Sequence, residues 1–306
     1  MSVTLDALAR DSGTFLMVAM DQRESLRTML AQHHPEPIER EQLVRFKLAV
    51  ARELGRDASG FLIDGACVDQ VVAQRLLPPT CGLILAVDEL EQEHGGPVED
   101  TDLDAGIDVR GGVVALKLLV IWRDDERRAR RLVISRRFVE LAEAHGLLSV
   151  LEGVVRPVGG REDMFEREAA IVEAAAELAA VGPSLYKCEV PLRGRGASAE
   201  IERRSREIDS AVGCPWVVLS QGVEPADFPA AVEAACRAGA SGMLAGRALW
   251  TSVLGADDPT LLLRTQAAPR LRELGAIVDK FGRPWREKGL TRAGRMSSSS
   301  ARRRPA

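Results

Sequence analysis

The sequence predicts a parallel eight-stranded (β/α)8 TIM barrel, an α/β fold, on three observations. Short apolar runs recur eight times along the 306 residues. Most of the gaps between them carry helical periodicity rich in Ala, Glu, Arg and Leu. Eight such strand–helix units fit the roughly 250 residues of a barrel of this kind.

The strands are FLMVAMD (15–21), GFLIDG (60–65), GLILAVD (82–88), ALKLLVIW (115–122), LLSVLEGVV (147–155), LYKCEVP (185–191), WVVLSQG (216–222) and SGMLAGR (241–247). EREQLVRFKLAVARELG (39–55), DDERRARRLVISRRFVELAEAHG (124–146), EREAAIVEAAAELAAVG (166–182) and DFPAAVEAACRAGA (227–240) read as helices, and 259–282 as a last helix closing the outer ring. The gap 89–112 is weakly patterned and reads as a loop with at most a short helix. An open doubly wound sheet is the rival, but its Gly-rich first turn is absent: the first strand ends in Asp21-Gln22-Arg23. No Pro/Gly/Ser-rich linker divides residues 1–289, which read as one domain. The basic, repetitive segment 290–306 reads as a disordered tail.

Composition is that of a globular protein, with 46% hydrophobic and 28% charged residues. A net charge of −4 gives no sign of nucleic-acid or anionic-membrane partners. No apolar run approaches the roughly 18 residues of a membrane span, and the N-terminus lacks the pattern of a signal peptide. Five scattered cysteines without C-x-x-C spacing favour free thiols in a reducing cytoplasm.

Lysine is used sparingly: five against 36 arginines. Two of the five fall inside strands, Lys117 and Lys187. Arginine cannot lose its proton in a protein, whereas a desolvated lysine can. The active site of a barrel lies at the C-terminal ends of its strands. The polar residues there are Asp21, Asp64, Asp88, Lys117, Glu152, Lys187, Glu189, Ser220, Gln221, Gly222, Gly246 and Arg247. Strand alternation puts Leu185, Lys187 and Glu189 on one face, and Ala115, Lys117 and Leu119 on one face. If these are interior faces, two amines meet near Asp21 and Glu152. A buried salt-bridge network is the bland reading, and Glu189 in particular can be a mere counter-ion. A neutral amine attacks carbonyls, so one lysine is a Schiff-base candidate and the other a cation that lowers its pKa. Spacing alone does not choose between them.

The four histidines lie outside strand ends and lack ligand spacing, which argues against catalytic zinc. A magnesium site on Asp21, Asp64 and Asp88 stays open. Ser220, Gln221 and Gly222 offer a hydroxyl and backbone amides to an anion, Gly246 allows close backbone approach, and Arg247 supplies a fork for an oxyanion.

The segments MVAMDQRESL, ALKLLVIWRDDE, SVLEGVVRP, LYKCEVPLRGRG, PWVVLSQGV and AGASGMLAGRALWTSVLG, in this order over residues 5–285, resemble the class I aldolases related to tagatose-1,6-bisphosphate aldolase. Among these they look most like the sulfofructose-phosphate aldolases. The resemblance implies a Schiff base on Lys187, an acid/base role for Glu152, assistance from Lys117 and Asp21, and a phosphate grip by Ser220, Gly222 and Arg247; Gln22, Arg23, Gln221 and Gly246, at the same strand ends, complete the expected substrate contacts. It implies no cofactor or metal, and a dimer or tetramer. The implied substrate is a ketose 1-phosphate, 6-deoxy-6-sulfofructose 1-phosphate ahead of tagatose 1,6-bisphosphate, cleaved to dihydroxyacetone phosphate and an aldehyde. Arg23, Arg156 and Arg193 are candidates for the distal anion. Three residues depart from the family pattern: Cys188 for a usual valine, Gln221 for a small residue, and Gly153 for a common proline. A metal-assisted barrel lyase and a non-catalytic sugar-phosphate binder are the readings from other classes.

Overall fold

The computed structural model describes residues 3–93, 96–104, 106–109, 111–160 and 162–288. The expected tail, 290–306, and the boundary at 289 lie outside the described residues.

Among the described residues ten strands form in chain order: β1 (Phe15–Met20), β2 (Gly60–Asp64), β3 (Gly82–Ala86), β4 (Asp88–Gln92), β5 (Val98–Leu103), β6 (Val113–Trp122), β7 (Leu148–Val155), β8 (Leu185–Glu189), β9 (Trp216–Leu219) and β10 (Gly242–Ala245). Eight of them close a barrel in the order β1-β10-β9-β8-β7-β6-β3-β2, with every neighbouring pair parallel. These are the eight apolar runs of the sequence. They read as continuous apolar stretches because both faces of a parallel strand are covered.

The helices are α1 (Glu24–Ala31), α2 (Arg40–Leu54), α3 (Gly65–Ala73), α4 (Arg128–Ala144), α5 (Arg167–Ala179), α6 (Ser198–Ala211), α7 (Phe228–Ala238), α8 (Arg247–Trp250), α9 (Pro259–Leu262) and α10 (Ala268–Phe281). A capping box of Glu39 and Gln42 starts α2. The expected last helix is α9, a π-helical turn at Leu263–Ala267, and α10.

Side-chain alternation sorts each strand into two cores. Phe15, Met17, Leu62, Ile84, Ala115, Val150, Leu185, Val217 and Leu244 fill the barrel interior. The opposite parity, including Leu16, Val18, Leu116, Leu118, Tyr186 and Cys188, packs beneath the helices. The shared faces expected for Leu185 with Lys187, and for Ala115 with Lys117, are therefore interior faces.

One segment departs from expectation. The gap after β3 contains the antiparallel hairpin β4–β5. Its sequence, DELEQ and VEDTDL, is too acidic to read as strand, since Asp and Glu are depleted there. The carboxylates are matched instead by arginines from α4 and from the loop that joins β6 to it. Arg131 and Asp100, each 3% exposed, meet at 2.9 Å, Arg130 bonds Asp102 at 2.6 Å, and Arg123 bonds Glu99 at 2.9 Å. Such partners cannot be seen within a window of local sequence. Where a third helix would lie, Ile107 and Val109 pack on the outer core.

Candidate active site

The floor of the site is one rank of interior positions at the C-terminal ends of the strands. Glu152 on β7 is in register with Lys187 on β8, and both point inward one step above Val150 and Leu185. Lys187 Nζ donates to Glu152 Oε2 at 2.9 Å. The same oxygen lies 3.1 Å from Lys117 Nζ, which reaches across from β6. Lys117 Nζ also donates to Asp21 Oδ2 at 2.8 Å and to Asp88 Oδ1 at 3.1 Å. All of these groups are largely out of water, with Lys117 and Lys187 at 2% and 3% exposure.

This arrangement fixes charge. Burial by itself lowers the Lys117 pKa, but Asp21, Asp88 and Glu152 outweigh it and hold it well above the ordinary value. Burial alone would raise Asp21, whereas Lys117 and Lys187 bring it far below the usual carboxylate range. Glu152 goes down for the same reason, burial and Asp21 opposing the two lysines. Lys117 is thus a cation whose three N–H groups all face carboxylates.

Above this floor is a cavity of about 240 Å³. Asp21, Gln22, Arg23, Lys117, Glu152, Lys187, Ser220, Gln221, Gly246 and Arg247 all line it. Gly222 does not. It stands behind the wall, and the Cβ it lacks would lie 3.6 Å from Arg193 Cδ. The Gln22 Oε1 atom is buried without a hydrogen-bond partner among the described residues. Ser220 Oγ accepts from Ala248 N in the first turn of α8 at 3.4 Å. The Arg247 guanidinium forms no hydrogen bond or ion pair among the described residues. Burial pulls its pKa below the ordinary arginine value, Glu152 and Asp21 opposing and Arg156 adding.

The aspartates do not converge as a magnesium site requires. Asp64 caps α3 by accepting from Ala66 N at 3.0 Å and pairs with buried Lys47, facing a different cavity. Asp21 and Asp88 turn to Lys117 instead. Among the described residues no group of three His, Cys, Asp or Glu side chains is arranged to hold a metal ion. Glu189 is a counter-ion, as the sequence allowed: it takes Arg167 at 3.1 Å and Val155 N at 2.8 Å.

Other wall residues went unassigned in the sequence. The sequence places Asp88 at a strand end but gives it no role as a partner of Lys117. Leu90, Gln92, Pro97 and Val98 come from the hairpin, which the sequence did not reveal. Above the floor, Val98 and Leu119 pack against an apolar cluster of Ile121, Val154 and Leu219.

No helix among the described residues is long and apolar enough to cross a membrane. In sequence the chain is 26% identical over 329 residues to tagatose 1,6-diphosphate aldolase 2 of Streptococcus pyogenes serotype M1, covering 94% of this chain and 100% of that protein. It is 24% identical over 318 residues to tagatose 1,6-diphosphate aldolase of Staphylococcus aureus strain JH9, covering 93% and 97%. In fold it resembles an archaeal fructose 1,6-bisphosphate aldolase (TM-score 0.60, 16% identity, 90% of this chain and 98% of that one). It also resembles the Plasmodium falciparum fructose-bisphosphate aldolase (TM-score 0.65, 13% identity, 91% and 93%). The model of the DeoC/LacD family of aldolases matches residues 15–252. With that match spanning β1 to β10, the chain belongs to the DeoC/LacD aldolase family and is a lyase.

Proposed function

We propose that this chain is a class I aldolase that cleaves a ketose 1-phosphate through a Schiff base on Lys187. The observation that carries the reading is the single Glu152 oxygen between two lysines, 2.9 Å from Lys187 and 3.1 Å from Lys117, on the floor of a cavity. Lys117 is held as a cation by three carboxylates, so Lys187, which among the described residues pairs with Glu152 alone, is the better nucleophile.

The chemistry follows from these positions. Transfer of a proton from Lys187 to Glu152 frees the Nζ lone pair, which attacks the C2 carbonyl. Glu152 returns a proton to the departing hydroxyl, water leaves, and an iminium remains. Glu152, a carboxylate again, takes the proton of the C4 hydroxyl, the C3–C4 bond breaks, and its electron pair flows into the iminium to give an enamine. An aldehyde leaves. Protonation at C3 and hydrolysis of the iminium return Lys187 and dihydroxyacetone phosphate. Lys117 stabilises developing negative charge on a substrate oxygen, and Asp21 orients Lys117 and a hydroxyl. The C1 phosphate is taken by Ser220, Arg247 and the amides around Gly246.

The distal group is a sulfonate or a second phosphate. The sequence motifs favour 6-deoxy-6-sulfofructose 1-phosphate, while the relatives in sequence are named for tagatose 1,6-bisphosphate. Five free cysteines support the cytoplasm as the compartment. Parallel assays of dihydroxyacetone phosphate release from the two substrates decide between them. Lys187→Arg is expected to abolish turnover and borohydride trapping on either. Substantial activity in that variant, or loss of wild-type activity to a chelator without any trapping, would sink the Schiff-base reading in favour of a metal-assisted lyase.

A further inference from the structure

Three arginines, Arg23, Arg156 and Arg193, compete to bind a second anion, and their surroundings separate them. Arg23 is engaged: Nη1 donates to the Asp88 carbonyl at 2.9 Å, and Nη2 lies 3.5 Å from Asp88 Oδ2. Arg193 is not part of the cavity wall; its stem packs by Gly222. Arg156 does line the cavity, together with Lys187 and Arg247.

The backbone of Arg156 extends the β6–β7 ladder by one step, its N–H donating to the Trp122 carbonyl at 3.0 Å. Glu152, Val154 and Arg156 therefore share the inward face. The arginine stands about 13 Å along the strand from the acid/base carboxylate, at four residues of roughly 3.3 Å each. Its guanidinium makes one hydrogen bond, from Nη1 to the Val155 carbonyl at 2.8 Å. It forms no ion pair among the described residues. Burial pulls its pKa below the ordinary value; Glu189 opposes, and Arg123, Arg167 and Arg193 add to the fall. A guanidinium stays charged in proteins, and a partly buried charge without a partner destabilises the fold that holds it. Other arginines near this mouth, Arg123, Arg127, Arg131 and Arg167, each have a carboxylate. Arg156 and Arg247 line one cavity without one.

We propose that Arg156 is the receptor for the distal anion of the substrate, so that the cavity selects a ketose 1-phosphate ending in phosphate or sulfonate over one ending in a hydroxyl. This rests on the aldolase reading. Both anions present tetrahedral oxygens to the guanidinium fork, and the apolar shelf of Ile121, Val154 and Leu219 separates this grip from the charged floor.

The test compares wild type, Arg156→Met and Arg156→Lys on tagatose 1,6-bisphosphate, 6-deoxy-6-sulfofructose 1-phosphate and fructose 1-phosphate, whose C6 carries a hydroxyl. Arg156→Met is expected to lose about 10- to 100-fold in kcat/KM on whichever doubly anionic substrate wild type prefers, the worth of one charged hydrogen-bonded contact. Its activity on fructose 1-phosphate is expected to stay within about twofold, with Arg156→Lys restoring part of the selectivity. An equal loss on all substrates, or no loss on any, overturns the proposal. So does a fall in Tm that Arg156→Lys reverses without restoring selectivity, because removing an unpaired charge leaves Tm equal or higher. A second measurement does not depend on turnover. Inorganic phosphate titrated calorimetrically into Arg247→Met is expected to bind, and binding is lost in Arg247→Met/Arg156→Met. Equal behaviour of these two variants overturns the assignment. Failure of wild type to cleave any of the three sugars while the phosphate result holds strikes the aldolase reading alone.

Discussion

Lys117 and Lys187 are one residue type on the two strands that flank β7, and they differ only in company. Lys117 faces Asp21, Asp88 and Glu152, whereas Lys187 faces Glu152. The signs of the shifts set a pH window. Lys117 is raised, so its contribution is fully present below the unfolded lysine value of about 10.4 and is lost as pH rises through the folded value. Asp21 and Glu152 are lowered, so theirs is present above about pH 4 and is lost as pH falls through their folded values. Lys117→Met is thus expected to be less stable than wild type between about pH 4 and 10. The gap narrows in more acid solution as the orphaned carboxylates protonate. Urea unfolding at pH 3 and pH 7 measures it, and a gap independent of pH contradicts the ion cluster. Asp88→Asn removes one of the three carboxylates. Under the proposed mechanism it moves the alkaline limb of kcat to lower pH, whereas the exposed Glu89→Gln leaves the profile in place. The sequence brought these residues to one end of the strands through period-two alternation alone. Which carboxylate touches which amine depends on the stagger between strands, and no local pattern encodes that.

At the scale of elements, the hairpin β4–β5 is a fixed wall. Arg131 donates to Asp100 through Nε and Nη2 at 3.1 and 2.9 Å and to Asp125 at 2.6 and 3.0 Å. Thr101 Oγ1 ties the second strand of the hairpin to the Leu119 carbonyl at 2.6 Å. Arg131→Met leaves the buried Asp100 carboxylate with a 3.0 Å hydrogen bond from Thr101 N and a 3.5 Å contact from Arg127, and is expected to cost about 3–5 kcal/mol in urea unfolding. Adding Asp100→Asn recovers part of the loss. A single variant at wild-type stability would show that the pair does not anchor the wall. The β7–β8 pair explains one departure from the family pattern. A Cβ on Gly153 would lie 2.3 Å from the Tyr186 hydroxyl and 3.0 Å from Leu178 Cδ1. The Tyr186 side chain, from the neighbouring strand, leaves room for glycine there and excludes proline. The motif showed both residues, but their collision is a contact between strands.

The whole molecule depends on closing the ring between its first and last strands. Phe15 and Gly242 are register partners at that seam, and Phe15 N bonds the Ser241 carbonyl at 2.8 Å. Gly242 has φ +140°, and a Cβ there would stand 2.0 Å from the Phe15 carbonyl oxygen. Gly242→Ala is expected to lower stability by about 3 kcal/mol or more, in the range of strained special positions. Gly159→Ala, at an open position, is the control and leaves Tm unchanged. Equal Tm values for the two would mean that the seam tolerates a side chain. The amino-acid sequence by itself determined the eight barrel strands, which residues share a face of each, and the rank of lysines and carboxylates at one end, because alternation and the strand–helix rhythm are local and repeat along the chain. Only the tertiary structure decided the hairpin, the turning of Asp64 away to Lys47, the locking of Lys117 by three carboxylates and the isolation of Arg156. The first three are meetings of charges from elements distant in sequence and the last is the lack of such a meeting among the described residues, and an ion pair has no period by which the chain could announce it.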